Sequence, residues 1–212
     1  SLIAIGVIAG LFSPQGHTRV PAVAVDIPPV ASLVGQVMGD LGQPRLIMPT
    51  GVSPHSHAMR PSQARTLQNA DIVFWVGRDL TVGLARSIKA LASNAVSVSL
   101  IDVPGITLLP FRHGTTFEEN GHEAHDHNGG TDPHVWLDPE NARVWLEVIA
   151  AELAKLDPDN ASSYLHRARV GKDALTELIH HLSGQLARIR GRPFVVFHDA
   201  YQYFEHRFNI RA

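Results

Sequence analysis

The sequence predicts an α/β fold in which two lobes, each a parallel sheet flanked by helices, are joined by one long rigid helix. Short apolar segments alternate with segments of helical spacing over residues 20–159, which is typical of a parallel sheet covered by helices. No proline interrupts residues 160–190, and a further apolar segment follows that stretch. These observations predict a first lobe at 20–159, a connector helix at 160–190 and the start of a second lobe at 193–212.

The strands and helices of the first lobe follow from local apolar patterns. A strand is predicted where a short run is largely apolar or β-branched, and a helix where apolar residues recur every three or four positions. The predicted strands are residues 23–27, 46–48, 72–76 and 96–101. The predicted helices are residues 30–38, 62–69, 80–91 and 139–156. Pro28 and Pro29 are expected to end the first strand, and Pro61 and Pro139 to open helices, because proline is favoured in the first helical turn.

Residues 160–190 are predicted to form one continuous helix. Apolar residues recur there at steps of three, four or seven, namely Leu165, Ala168, Leu175, Leu178, Leu182, Leu186 and Ile189. At 1.5 Å per residue the helix is about 45 Å long, more than a helix inside one domain needs. A buried strand at 194–197 and a helix at 199–208 are expected to follow. Because one strand and one helix cannot bury a sheet face, we expect the second lobe to be largely missing from this chain.

Composition narrows the classes of function. The 212 residues carry a formal net charge of −2, so no basic surface for a nucleic-acid partner is expected. Cysteine is absent, which excludes thiolate zinc sites and disulfide scaffolds. Histidine is the outlier, with 13 residues against three each of Trp, Tyr and Met. Since histidine is the commonest metal ligand in proteins, this excess favours metal binding.

The first 19 residues predict export from the cytoplasm. Residues 2–12 are an uncharged apolar run, too short to span a bilayer but of the length found in secretory signals. Residues 13–19 are polar and follow as a spacer. We therefore expect residues 1–19 to be the remnant of an export signal, and the protein to be periplasmic or otherwise extracytoplasmic and membrane-associated. The alternative is a buried strand or helix of the fold.

Three widely separated histidines are candidate metal ligands. His198 directly follows an apolar segment, His55 comes shortly after the second predicted strand, and His134 shortly precedes a predicted helix. Ligands of α/β proteins bind outside the carboxyl ends of the strands, so the three predict a zinc site with one open coordination position. His57 is the substitute if His55 is not a ligand. Ordinary solvated side chains are otherwise expected for His57, His166, His180, His181 and His206.

A histidine-rich loop is a second candidate for metal binding. Residues 104–132 have no apolar period, and within them the loop at 113–130 carries His113, His122, His125 and His127. This composition is typical of a metal-binding tract that needs no fixed geometry. Binding must order a mobile tract, so its affinity is expected to be lower than that of the fixed site. The alternative is a loop that only aids solubility.

Three stretches of the sequence resemble one known family. They are GVSPHSHAMRPSQARTLQNADIVFWVG, DPHVWLDPENAR and FVVFHDAYQYFEHRFNI, which begin at residues 51, 132 and 194. From about residue 20 to the last residue, the chain resembles the zinc-specific periplasmic solute-binding proteins of ABC importers, the ZnuA/TroA-like group of cluster A-I. The resemblance implies two α/β lobes joined by one rigid helix, with the metal bound in the cleft between them.

The resemblance also implies the ligands and the partners. By motif, the three ligands fall on His55, His134 and His198, and the transported ion is Zn²⁺, because manganese members typically carry a carboxylate at the third position. Many members take a fourth, carboxylate ligand from the C-terminal lobe, which is almost absent here. Asp199 is expected to orient a ligand or cap the following helix rather than to bind metal. The implied partners are an ABC transporter membrane permease and a periplasmic zinc chaperone, and the implied state is a monomer.

The expected function is therefore high-affinity capture of Zn²⁺ outside the cytoplasm and its delivery to an ABC-type zinc permease. One alternative is a zinc-dependent hydrolase or lyase, since three histidines and a water resemble a catalytic zinc site. The sequence lacks the general base of a His-Glu-x-x-His motif, so no enzymatic activity is expected. The other alternative is an adhesin or metallochaperone that binds zinc.

Overall fold

A computed structural model describes residues 19–51, 53, 59–112, 130–196 and 199–212. Its elements in chain order are β1 (Val23–Val25), α1 (Pro28–Met38), β2 (Arg45–Leu46), α2 (Pro61–Gln68), β3 (Ile72–Trp75), α3 (Val82–Leu91), β4 (Val96–Ser99), α4 (Pro139–Leu156), α5 (Ala161–Leu186) and α6 (Gln202–Phe208). The predicted export signal lies almost wholly at residues 1–18, outside the described residues. No helix in the described part of the chain is long and apolar enough to cross a membrane.

The four strands form one parallel sheet in the order β2-β1-β3-β4, which confirms the predicted α/β class. The inner strands β1 and β3 are buried along their whole length. Burial on both faces explains why their sequences, VAV and IVFW, are continuously apolar. The edge strand β2 is shorter than predicted. The amides of Ile47 and Met48 nevertheless extend its ladder by donating to the carbonyls of Val25 and Asp26, at 2.8 and 3.0 Å.

The first helix begins two residues earlier than predicted. Pro28 and Pro29 open α1 rather than only ending the strand before it. Proline suits this position because its missing N–H would have no partner inside the first turn. The helix ends at Gly39, whose φ of 57° is in the left-handed region that glycine adopts readily.

Helices α4 and α5 pack against each other and against α1. Asp138 caps α4, accepting a hydrogen bond from the amide of Glu140 at 2.9 Å. Trp145 is fully buried, and its indole nitrogen donates to the carbonyl of Leu100 at 2.9 Å. Tyr164 of α5 is also fully buried and donates to Asp157 at 2.8 Å. These contacts fix the turn between the two helices and the first part of α5.

The long helix is present where it was predicted, but its apolar residues are mostly not buried. It has 26 residues in α5 and continues as a short 3₁₀ turn, Ala187–Ile189. Only Tyr164, Ala168 and Gly171 of α5 are buried. Leu165 and Leu178, expected on the packed face, are exposed. Its role as a connector between two lobes stays a prediction.

The buried strand predicted at 194–197 is wrong for the residues that the structure describes there. Residues 192–196 belong to no strand, and the side chain of Val195 is 97% exposed. A strand needs a hydrogen-bonding neighbour, and this segment joins none of the four strands of the described sheet. The helix predicted to follow is α6, which begins at Gln202.

Candidate metal centre

His134 is the one predicted metal ligand that lies among the described residues, and it is held in a fixed orientation. Its side chain is buried, and the residue is 7% exposed. Ring atom Nδ1 lies 2.7 Å from Oδ1 of Asp132, and the same oxygen accepts the backbone amide of His134 at 2.9 Å. The ring of Trp136 packs at a centroid distance of 5.3 Å with a tilt of 58°. Rotation of the imidazole is therefore restricted on several sides.

The contact with Asp132 has a direct chemical consequence. A carboxylate that accepts from Nδ1–H fixes the tautomer in which Nε2 carries the lone pair. A neutral imidazole in that form is the ligand that zinc takes from histidine. The pair of Asp132 and His134 therefore has the geometry of a zinc ligand with its supporting carboxylate.

Asp132 lies at the end of a short antiparallel pairing that closes the histidine-rich loop. We call residues 109–111 and 130–132 the loop stem. Pro110 bridges to Thr131, the amide of Phe111 donates to Gly130 at 3.1 Å, and the amide of Asp132 donates to Leu109 at 2.9 Å. The stem thus sets the backbone position from which the Asp132 carboxylate reaches His134.

Tyr203 of α6 forms hydrogen bonds to the backbone of both halves of the loop stem. Its hydroxyl donates to the carbonyl of Asp132 at 2.8 Å and accepts the amide of Leu109 at 2.9 Å. Burial raises the pKa of Tyr203 to about 12, although the Leu109 amide acts in the opposite direction. The hydroxyl therefore keeps its proton at neutral pH and remains a donor to Asp132.

Arg112, which directly follows the stem, contacts α6 and the segment before that helix. Its Nε donates to Asp199 at 2.8 Å, and its two terminal nitrogens reach the two oxygens of Glu205 at 2.8 and 2.9 Å. The hydrogen bond from Arg112 is the main cause that lowers the pKa of the Glu205 carboxyl. Both contacts cross a long interval of sequence, so the folded chain alone brings them together.

A second arginine fixes α6 to the residues after His134. Arg207 makes a two-pronged contact with Asp138, each nitrogen-to-oxygen distance being 2.7 Å. Asp138 is fully buried and also caps α4. The hydrogen bond with Asp138 raises the pKa of Arg207. Helix α6 is therefore held on both sides of the segment that carries His134.

The other predicted ligands lie outside the described residues. These are His55 and His198 of the primary site, the substitute His57, and His113, His122, His125 and His127 of the loop. In the part of the chain that the structure describes, no three metal-binding side chains come together. The four histidines expected to be solvated and described by the structure are indeed exposed: His166, His180, His181 and His206.

Asp199 was expected either to orient a ligand or to cap the following helix, and the first of these roles stays a prediction. Its predicted role as a helix cap is wrong, because α6 begins at Gln202 with Tyr201 in the cap position. Its carboxylate is instead paired with Arg112. Sequence reasoning also missed Asp132, Arg112, Tyr203 and Arg207. Only Asp132 had a local signal, since it lies two residues before a candidate histidine ligand.

Comparison with known proteins identifies relatives over nearly the whole chain. A family model described as the periplasmic zinc-uptake complex component A matches residues 23–212. The high-affinity zinc uptake system protein ZnuA of Paracoccus denitrificans is 38% identical over 99% of this chain and 71% of its own length. The protein of the same name from Brucella abortus is 35% identical over 90% of this chain and 65% of its own length. The chain thus spans about two thirds of these relatives.

Solved structures agree with the sequence comparison. A crystal structure of ZnuA has a TM-score of 0.77 at 26% identity, over 90% of this chain and 69% of its own. A zinc-bound crystal structure of a ZnuA deletion mutant also has a TM-score of 0.77, at 27% identity, over 90% of this chain and 68% of its own. The described fold is therefore that of the ZnuA-type structures.

Proposed function

Because this chain belongs to the family of periplasmic zinc-uptake complex component A proteins, we propose that it captures Zn²⁺ outside the cytoplasm and delivers it to an ABC-type permease. The observation that carries this proposal is the buried His134 with its Nδ1 at 2.7 Å from Asp132. A metal-binding histidine almost always donates its other ring N–H to a carboxylate, a backbone carbonyl or a water. A merely solvated histidine needs neither the burial nor the partner.

The primary zinc site of the proposal consists of His55, His134 and His198. His134 contributes Nε2, with Asp132 as the group that orients it. Three neutral imidazoles favour zinc over manganese, which prefers oxygen ligands. Protons compete with zinc for imidazole, so affinity falls as the pH decreases through the histidine range.

The histidine-rich loop is proposed as a secondary site of lower affinity. His113, His122, His125 and His127 supply imidazoles there without a fixed arrangement. The loop stem joins this segment directly to Asp132, so the histidines of the loop are near His134 in the sequence. This proximity suits a segment that collects zinc before transfer.

The proposal assigns no catalytic activity to the chain. Its relatives are named as parts of a zinc uptake system. The sequence contains no His-Glu-x-x-His motif, which supplies the general base of zinc hydrolases. We also propose that the protein is a periplasmic monomer and that a zinc chaperone is a partner in addition to the permease. An assay for zinc-dependent ester hydrolysis and CO₂ hydration tests it, and robust turnover would overturn the transport assignment.

A zinc titration of single-histidine variants tests the primary site. Competition with a chromophoric chelator gives the zinc dissociation constant of the wild type, His55→Ala, His134→Ala and His198→Ala. Each variant is expected to lose more than the roughly 10–100-fold that removal of a supporting residue causes. Deletion of residues 113–127 is expected to leave the tightest site intact. His180→Ala is the matched control, because His180 is exposed on α5.

Two results would contradict the assignment. An equal loss from the loop deletion would move the primary site into the loop. Unchanged affinity in His134→Ala and His198→Ala would remove those residues from the site. If His57→Ala lost zinc binding and His55→Ala kept it, His57 would replace His55 as the first ligand and the other two ligands would stand.

A further inference from the structure

The cluster of Arg112, Asp199 and Glu205 is not explained by zinc ligation itself. Asp199 and Glu205 are 87 and 93 positions from Arg112 in the sequence, yet both meet its guanidinium. Glu205 is buried, and the side chains of Arg112 and Asp199 are about one-third exposed. Two carboxylates this close to each other repel unless a cation lies between them. Arg112 supplies that cation, and its planar fork provides enough donors for both.

The position of the cluster in the chain connects two candidate ligands. Asp199 directly follows His198 in the sequence. Arg112 directly follows the loop stem, whose other strand ends at Asp132, the orienting partner of His134. An ion pair between Arg112 and Asp199 therefore restrains the residue next to one ligand relative to the backbone that orients another.

We propose that Arg112 is a positioning residue for zinc binding, which holds the segment that starts at Asp199 against the loop stem and so fixes the spacing between His198 and His134. This inference rests on the proposed function. Arg112 does not touch the ion in this scheme. It acts through Asp199 on one side and through the stem and Asp132 on the other.

Arg143 provides a matched control. It pairs with Glu140 at 2.7 and 2.9 Å, and its side chain is 28% exposed, close to the 31% of Arg112. Both partners of that pair lie in the first turns of α4. Loss of the Arg143 pair removes a comparable ion pair without removing a contact of Arg112 or Asp199.

The test compares Arg112→Met, Arg112→Lys, Asp199→Asn and Arg143→Met in the full chain. Zinc dissociation constants are measured by chelator competition, and the visible spectrum of the Co²⁺-loaded protein reports the coordination geometry. Arg112→Met is expected to weaken zinc about 10–100-fold and to change the Co²⁺ spectrum. Arg112→Lys keeps the charge but not the two-pronged geometry, so its affinity is expected to be intermediate. Arg143→Met is expected to keep the wild-type affinity and spectrum.

Asp199→Asn keeps the test decisive if Arg112→Met does not fold. It leaves the pair of Arg112 and Glu205 in place, and its amide oxygen still accepts from Arg112. It is therefore expected to weaken zinc less than Arg112→Met does, by about tenfold, and to alter the Co²⁺ spectrum. Wild-type affinity and spectrum in Asp199→Asn or in Arg112→Met would overturn the inference, as would equal losses in Arg112→Met and Arg143→Met. If the variants His134→Ala and His198→Ala still lose zinc in that case, the proposed function stands without this role for Arg112.

Discussion

The carboxylate of Asp132 accepts from both the imidazole Nδ1 and the backbone amide of His134, at 2.7 and 2.9 Å. One oxygen atom thereby fixes the ring and the turn that carries it. Both residues are buried, Asp132 at 3% and His134 at 7% exposure. Water therefore competes little for either group, and the orientation of the ring is set before any metal arrives. Such preorganisation lowers the cost of binding.

Replacement of Asp132 is the first test of this relationship. In Asp132→Asn the amide oxygen still accepts from Nδ1, so the ring keeps its orientation and loses only the charge of its partner. In Asp132→Ala both are lost. We expect zinc affinity to fall about tenfold for Asn and towards about 100-fold for Ala. Chelator competition at constant pH measures both, and equal affinity in all three proteins would contradict the role of Asp132.

Tyr203 allows a prediction about stability. Tyr203→Phe keeps the ring in the core but removes the hydroxyl that joins Leu109 and Asp132. Groups left without partners lower the free energy of unfolding by about 1–3 kcal/mol. Urea denaturation measures this loss. Tyr201→Phe is the control, because Tyr201 is 43% exposed and its change is expected to stay within about 0.5 kcal/mol; similar losses in both variants would contradict the prediction.

Asp26 predicts a pH dependence of stability. It is fully buried, and desolvation raises its pKa to about 7, against which the amides of Val76 and Ile27 act by donating at 2.7 and 2.8 Å. The unfolded value is near 3.8. Between these values the folded state holds a proton that the unfolded state has lost. The contribution of Asp26 to the free energy of unfolding therefore decreases as the pH rises from about 4 to about 7, by at most about 1.4 kcal/mol per unit.

Asp26→Asn isolates that contribution. Asparagine does not titrate, so the wild-type stability minus the variant stability is expected to decline over this pH window and to level off above it. The other titrating groups cancel in the difference. Urea denaturation at several pH values gives the curve, and a difference independent of pH would show that burial does not shift the Asp26 pKa.

Substitution of two glycines of α5 tests where that helix is closely packed. A methyl group at Gly171 would lie 2.8 Å from Gln36 and 2.9 Å from Leu146, whereas one at Gly184 would meet nothing within 4 Å. Gly184→Ala is expected to raise the free energy of unfolding by up to about 1 kcal/mol, through helix propensity alone. In Gly171→Ala crowding opposes that gain by about 1–3 kcal/mol.

Urea denaturation of the two variants decides the order. Gly171→Ala is expected to be the less stable of the two, because α5 approaches α4 closely at that residue. Equal stabilisation in both would mean that α5 is not packed closely on α4 at Gly171.

Elements whose residues carry their own signal were predictable from the sequence. The run IVFW is apolar at every position because β3 is buried on both faces. The helix at 139–156 was predicted with its observed bounds, because Pro139 marks its start. His134 was singled out as a candidate because it lies at the junction of a loop and a helix.

Segments whose structure depends on neighbours were predicted less well. The run at 194–197 has the composition of a strand, but residues 194–196 pair with no described strand and Val195 is exposed. Leu165 and Leu178 have helical spacing, but they are 48% and 43% exposed in the described structure. Apolar composition states what a residue favours, and burial also requires a partner in the right place.

The sequence alone determined the order of helices and parallel strands and the histidines that are candidates for zinc, because periodicity and residue chemistry are local properties. The tertiary structure alone decided what supports His134. Arg112 meets Asp199 and Glu205 across 87 and 93 residues, and Tyr203 meets Asp132 across 71. No local pattern encodes such pairs, because they form only when the folded backbone brings distant segments within hydrogen-bonding distance.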